Sequence, residues 1–341
     1  MTIFHKQLRF ESTPDNFRFS TNEVKSTKMQ TALPKGTYIP LVTPFTRSGN
    51  IDYESFDKLI GKMLKAKVEA LVVLGTTGES PTVTPEETYA LIEYTVARVN
   101  GSATVLAGVG NNDTQSSLTQ AQSAMNLGVD GLLVVCPYYS RPNQQGLYEH
   151  FKLIAEQVPI PQIVYNIAGR TGVNIELATL LELSKLANIV GVKESSDDIT
   201  QINDVLQKLP NDFLVLCGCD HLNFATLCLG GHGVISTVAN LVPEKIKAMV
   251  DAALSDDVQS ARQLHVELQA LVTGCSIDSN PIPVKTALAM MGCMEELFRL
   301  PLCAMEPDIR HQWSSILEHQ GLLKTADNEN ITVNTRLGQR A

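Results

Sequence analysis

Asn188-Ile189-Val190-Gly191-Val192-Lys193-Glu194-Ser195-Ser196 is the stretch whose reading decides the fold. Its Ile/Val/Gly run has the near-continuous apolar character of a strand buried on both faces in a parallel sheet, and the run ends in a lysine. An ammonium there is costly, because desolvation favours the neutral amine. A neutral amine can attack a carbonyl carbon and form a Schiff base. Taken alone, the stretch is better read as a strand-end lysine paired with Glu194 or a neighbouring carboxylate. The sequence on either side reverses that preference.

Toward the N-terminus of this stretch, apolar runs and amphipathic segments alternate back to about Gly36. Strands are expected at Tyr38–Val42, Ala70–Leu74, Thr104–Val109, Gly131–Cys136 and Gln162–Tyr165. Helices are expected at Tyr53–Ala66, Pro85–Val99, Thr114–Leu127, Gln145–Gln157 and Ile175–Leu186. Toward the C-terminus the pattern continues with helix Ile199–Lys208, strand Phe213–Cys217, helix His221–Leu229, strand Gly233–Ser236 and helix Pro243–Ala253. Eight βα units in about 220 residues are the count and length of a (β/α)8 TIM barrel, an α/β fold. A doubly wound open sheet rarely needs eight such even units. Three more helical patterns, Val258–Thr273, Ile282–Met291 and Pro307–Leu317, read as additional C-terminal helices. The expected organisation is a loose extension over 1–35, the barrel over 36–255, a C-terminal helical part over 256–323 and a loose tail over 324–341.

Composition narrows the function. A net charge of −9, with no basic run longer than a dipeptide, excludes a nucleic-acid surface. No stretch approaches the ~18 consecutive apolar residues of a membrane helix. Residues 1–30 lack an apolar signal core and carry Glu11, Asp15 and Glu23, which disfavours a transit peptide. The seven cysteines lie mostly within apolar runs, as reduced core thiols do, and point to a cytoplasmic protein. Cys217-x-Cys219-x-His221 lacks a second ligand pair at zinc spacing, so no metal is expected.

In a barrel the chemistry lies where strands end. Strand two runs into Gly75-Thr76-Thr77-Gly78-Glu79-Ser80, whose hydroxyls and freed N–H groups suit a carboxylate. Strand four leads to Tyr138-Tyr139, strand five to Tyr165-Asn166 and then Arg170, and strand six to Lys193. A guanidinium grips a carboxylate with two parallel bonds, and a phenol joined to a relay hydroxyl can exchange protons with a carbinolamine. Each group alone is better read as structural. Together on one rim they make a site. Gly230-Gly231-His232-Gly233 precedes strand eight and reads as a turn, and Gly108-Val109-Gly110 lacks the third glycine of a dinucleotide fingerprint.

These motifs, with Arg141-Pro142, Val192-Lys193-Glu194, Val234-Ile235-Ser236 and Asn280-Pro281-Ile282-Pro283-Val284-Lys285, resemble the 4-hydroxy-tetrahydrodipicolinate synthase (dihydrodipicolinate synthase) family of Schiff-base aldolases. The resemblance is ordered from Gly36 to about Leu323. It implies condensation of pyruvate with L-aspartate-4-semialdehyde, without metal or organic cofactor. It further implies that Lys193 forms the pyruvate Schiff base and that Tyr165 moves protons with Thr76 and Tyr139. Thr77 would hold the pyruvate carboxylate, Arg170 the semialdehyde's, and Gly218 and Ile235 would add main-chain contacts. The tyrosine matching Tyr139 crosses between subunits in this family, which implies a homotetramer built as a dimer of dimers.

The chain departs from the common pattern at Cys219, where many members have Asp, and at Ala168-Gly169, where Pro-Ser is usual. Lysine-inhibited members bind their effector with residues matching Tyr138 and Asn112, and many add a histidine and a glutamate whose positions are Pro85 and Ser116 here. Weak or absent inhibition by lysine is therefore expected, Glu86 or Glu87 being the residues able to replace the lost carboxylate. Two alternatives stay open: a sister aldolase acting on N-acetylneuraminate or a 2-oxo sugar acid, and a non-catalytic protein that binds a 2-oxo acid.

Overall fold

The computed structural model describes residues 32–323. The expected extension up to residue 31 and the tail from 324 onward lie outside them. The chain begins with β1 (Gly36–Pro40), α1 (Tyr53–Lys65), β2 (Ala70–Val73), α2 (Pro85–Val99), β3 (Thr104–Val109) and α3 (Thr114–Asn126). It continues through β4 (Gly131–Val135), α4 (Gln144–Gln157), β5 (Gln162–Asn166), the single turn α5 (Ala168–Thr171), α6 (Leu177–Leu183) and β6 (Ile189–Glu194). Next come α7 (Ile199–Lys208), β7 (Leu214–Cys217), α8 (Asn223–Cys228), β8 (Gly233–Ile235) and α9 (Pro243–Leu254). The strands pair in parallel in chain order and β8 closes onto β1, so this is a (β/α)8 barrel.

Side chains alternate across each strand. Tyr38, Val72, Leu106, Leu133, Ile163, Leu216 and Ile235 fill the barrel interior. Leu71, Val73, Leu132, Val134 and Val215 face outward into the layer shared with the helices. Both faces are covered, which is why the strands read as unbroken apolar runs. Close packing also accounts for Gly108: a Cβ there would lie 2.4 Å from the Leu74 carbonyl oxygen, so the glycine is a packing requirement and not part of a nucleotide loop.

Helix starts follow local capping chemistry. The Thr84 hydroxyl accepts from Glu87 N while the Glu87 carboxylate accepts from Thr84 N, and Pro85 occupies the first turn of α2. Asp113 and Asn143 cap α3 and α4 by the simpler one-sided bond, each accepting from a first-turn N–H.

Beyond the barrel, α10 (Val258–Gly274) packs along α9, and α11 (Ile282–Met290) and α12 (Pro307–His319) follow. Trp313 of α12 is fully buried and donates its indole N–H to the Pro283 carbonyl at 2.8 Å. Three expectations need correction, the first being helix His221–Leu229, which shortens to Asn223–Cys228 behind a 3-10 turn, Asp220–Leu222. The strand expected at Tyr38–Val42 begins at Gly36, because Gly36 and Thr37 already pair with β8. The helix expected over Ile175–Leu186 shortens to Leu177–Leu183, and a separate turn, α5, precedes it.

Candidate active site

Lys193 and Tyr165 are register partners on neighbouring strands and share the interior face. Lys193 is only 7% exposed, and its Nζ lies 4.1 Å from the centre of the Tyr165 ring. Glu194, one residue on, points the opposite way. Its carboxylate accepts from Asn166 Nδ2 at 3.0 Å, Ser196 N at 2.8 Å and Gln201 Nε2 at 3.1 Å. Burial pushes the Glu194 pKa up, and these donors hold it back only in part. The strand's alternation therefore removes the reading in which Glu194 neutralises Lys193.

The end of β7 comes against this lysine. Gly218 N donates to the Glu194 carbonyl at 2.8 Å. A Cβ at Gly218 would fall 2.6 Å from Lys193 Cε and 1.9 Å from Ser195 Oγ. Any side chain at 218 would push Lys193 and Ser195 aside, so the glycine keeps the lysine in its place.

Thr76 opens a 3-10 turn, Thr76–Gly78, directly after β2, and Thr77 within it is buried. The turn is pinned from both sides, by Thr43 Oγ1 donating to the Gly78 carbonyl at 2.7 Å and by Asn280 Nδ2 donating to Thr77 Oγ1 at 3.1 Å. Because Thr77 Oγ1 accepts from Asn280, its own proton is left to donate to a carboxylate. Arg170, on the exposed turn α5, donates from Nη2 to the carbonyl of the same Asn280 at 3.1 Å. Asn280 thus joins the two groups suited to carboxylates. Ile235, on β8, is buried in the barrel interior.

Residues 33–320 match the Dihydrodipicolinate synthetase family. The chain belongs to this family. A Thermodesulfovibrio yellowstonii protein named 4-hydroxy-tetrahydrodipicolinate synthase is 42% identical over 290 residues, spanning 85% of this chain and 99% of that one. The crystal structure of dihydrodipicolinate synthase from Aquifex aeolicus superposes with a TM-score of 0.83 at 42% identity, covering 85% of this chain and 100% of that one. A structure described as the first monomeric dihydrodipicolinate synthase variant gives a TM-score of 0.84 at 39% identity, covering 85% and 98%.

Against this dihydrodipicolinate synthase background, one expected site residue stands apart. Tyr139 is 88% exposed, with left-handed backbone (φ 71°). Among the described residues, the Tyr165 hydroxyl makes no hydrogen bond to Thr76 or Tyr139. The chain therefore brings Lys193, Tyr165 and Gly218 together, links Thr77 and Arg170 through Asn280, and leaves Tyr139 outside.

Asn280 and Lys285 stand in the Asn280–Lys285 motif, but nothing in the sequence assigns either a role. Lys285 forms a fully buried ion pair with Glu79, the left-handed residue that ends the Thr76–Gly78 turn. Its ammonium also lies 4.3 Å from the Phe45 ring centre. Burial pulls the Lys285 pKa down to about 8 despite the attraction of Glu79. Burying both charges costs them their hydration, so the pair is better understood as an anchor for the turn than as a source of stability. Elsewhere, Cys217 Sγ donates to the Cys219 carbonyl at 3.3 Å and His221 faces Asp197 at 3.4 Å, and among the described residues no group of three or more His, Cys, Asp or Glu side chains is placed to hold a metal ion. A cavity of about 350 Å³ lined by Lys35, Phe213 and His232 lies at the strands' N-terminal ends, opposite Lys193.

Proposed function

We propose that the chain condenses pyruvate with L-aspartate-4-semialdehyde to 4-hydroxy-tetrahydrodipicolinate, through a Schiff base on Lys193. The activity follows from family membership; the geometry supports the roles of Lys193, Thr77 and Arg170, and the family resemblance supplies those of Thr76, Tyr139 and Ile235. The observation that carries them is the enclosed Lys193 on Tyr165, with two carboxylate grips tied to one asparagine. The Lys193 amine adds to the pyruvate ketone and water leaves, giving an iminium that withdraws electrons from the methyl group. Loss of a methyl proton gives an enamine, whose carbon forms the new bond to the aldehyde carbon. Tyr165, with Thr76 and the partner's Tyr139, carries the protons. Thr77 holds the pyruvate carboxylate, Arg170 that of the semialdehyde, and Gly218 and Ile235 supply main-chain contacts. Purified protein given pyruvate with each candidate aldehyde, the product being identified by mass, tests the activity. Turnover of an N-acetylated sugar aldehyde, and none of the semialdehyde, would favour a sister aldolase.

Arg170→Lys tests the second grip. A point charge does not reproduce a two-pronged contact, so semialdehyde KM should rise at least about tenfold while pyruvate KM changes little. Equal losses for both substrates would remove Arg170 from this role.

The exposed Tyr139 supports a homotetramer of two tight dimers in which each copy completes its partner's site. Mixing Lys193→Ala chains with Tyr139→Phe chains should then restore activity in hybrid dimers. All seven cysteines are unpaired, which supports a cytoplasmic location, and no helix among the described residues is long and apolar enough to cross a membrane.

Regulation by lysine should be weak. Of the two carboxylates able to replace the missing glutamate, Glu87 already holds Arg299 by two bonds and caps α2 through Thr84 N. Asp113, beside Asn112, is used in capping α3. An ammonium effector lacking one buried charge partner loses about 2–5 kcal/mol, more than tenfold in affinity. Initial rates at saturating pyruvate should stay nearly flat as L-lysine is titrated, and strong submillimolar inhibition would show that Glu86 fills the gap.

A further inference from the structure

The Ser195 hydroxyl has no hydrogen-bond partner in the protein, although Ser195 is only 6% exposed and its oxygen is sealed from solvent. A buried hydroxyl left unpaired destabilises a fold, and in native proteins such groups need an explanation. The location gives one. Ser195 lies two residues beyond Lys193 and so on the same face of the extended chain, its N–H donating to the Asn166 carbonyl at 2.9 Å. Ser195 Oγ and Lys193 Cε both lie within 2.6 Å of the point where a Gly218 side chain would begin, so they are neighbours across that glycine. Nζ, one bond beyond Cε, is turned onto the Tyr165 ring in this state.

We infer that Ser195 Oγ is the acceptor for the N–H that Lys193 keeps once it has condensed with a 2-oxo acid. This rests on the Schiff-base reading of Lys193. When the amine adds to the ketone carbon, the carbonyl oxygen departs as water with one proton from the amine and one delivered through Tyr165, and the nitrogen is left with one proton and a positive charge. That N–H is a new buried donor attached to Cε, and it needs an oxygen close to Cε. Ser195 supplies two lone pairs and no competing partner. The bond would fix rotation about Cε–Nζ, and with it the plane in which the methyl proton is lost. Glu194 is unsuited to this role because its oxygens face the other way and are occupied by Asn166, Ser196 and Gln201. Ser195 therefore acts on the covalent intermediate, and the free enzyme carries the cost.

The test is borohydride trapping of the pyruvate adduct as a function of pH, with peptide mapping, on the full chain and on Ser195→Ala. Labelling of Lys193 in the unchanged protein establishes the Schiff base independently of Ser195. Ser195→Ala should melt at the same or a higher temperature, since it removes an unpaired hydroxyl. Its trapping rate at neutral pH should fall roughly tenfold, as expected for losing a hydrogen bond to a charged group. A hydrogen bond to the charged form raises that form's pKa, so its loss should move the alkaline limb of the trapping profile down by about one pH unit. Ser195→Thr, which keeps the hydroxyl, should retain the original profile. Trapping by Ser195→Ala with unchanged rate and profile would overturn the inference and leave the Schiff base standing. No label on Lys193 in the unchanged protein would overturn both. If Ser195→Ala does not fold, Ser195→Gly gives the same readout.

Discussion

Lys193→Ala should lower turnover by about a million-fold, the loss typical of removing a covalent nucleophile, while the barrel stays folded. In the unchanged protein, pyruvate with borohydride should label this lysine alone. A competing candidate makes the prediction specific. Lys285 has a pKa pulled down to about 8, a common mark of a Schiff-base lysine. It is nevertheless wholly buried, paired to Glu79 and carried on α11 instead of at a strand end. Access and position outweigh proton affinity here, so peptide mapping should find the adduct on Lys193. An adduct on Lys285, or none, would end the mechanism as drawn.

Lys285→Met should have the largest effect on stability. It leaves Glu79 buried without its cation, which costs about 3–5 kcal/mol. For a chain of this size that corresponds to a melting point lower by roughly 5 °C. Adding Glu79→Gln should recover more than half of the loss, because the stranded charge is gone. The pyruvate KM of the double variant should remain raised, since the turn bearing Thr76 and Thr77 is no longer tied to α11. Thermal unfolding of both variants, with pyruvate kinetics on the double variant, checks the two halves separately. Full recovery of both properties would mean that the pair anchors nothing.

What could be read from the sequence follows the range of the forces involved. Pro85–Val99 is legible to the residue because its cap, its first-turn proline and the left-handed Asn100 that ends it are all local. The barrel is legible because burial on both faces writes each strand as an apolar run. Lys193 stands out as the charge at the end of such a run. The turn bearing Arg170 is not legible as a helix, because Ala168-Gly169-Arg170-Thr171 is too short to show a period. The Lys285–Glu79 pair joins residues 206 apart, and no local pattern announces it. Ser195 is invisible for a different reason: its interest lies in what it fails to touch, and only coordinates reveal that.

Asn280 reaches back across 203 residues to Thr77 and 110 to Arg170. On a ribosome the strands bearing Lys193 and Tyr165 emerge well before this asparagine does. The lysine is thus made early, and the framework that orients both substrate carboxylates arrives with the last fifth of the described chain. A barrel made up to β8 alone would hold a reactive amine without selectivity, and its discrimination between carbonyl compounds would be acquired only once Asn280 is in place.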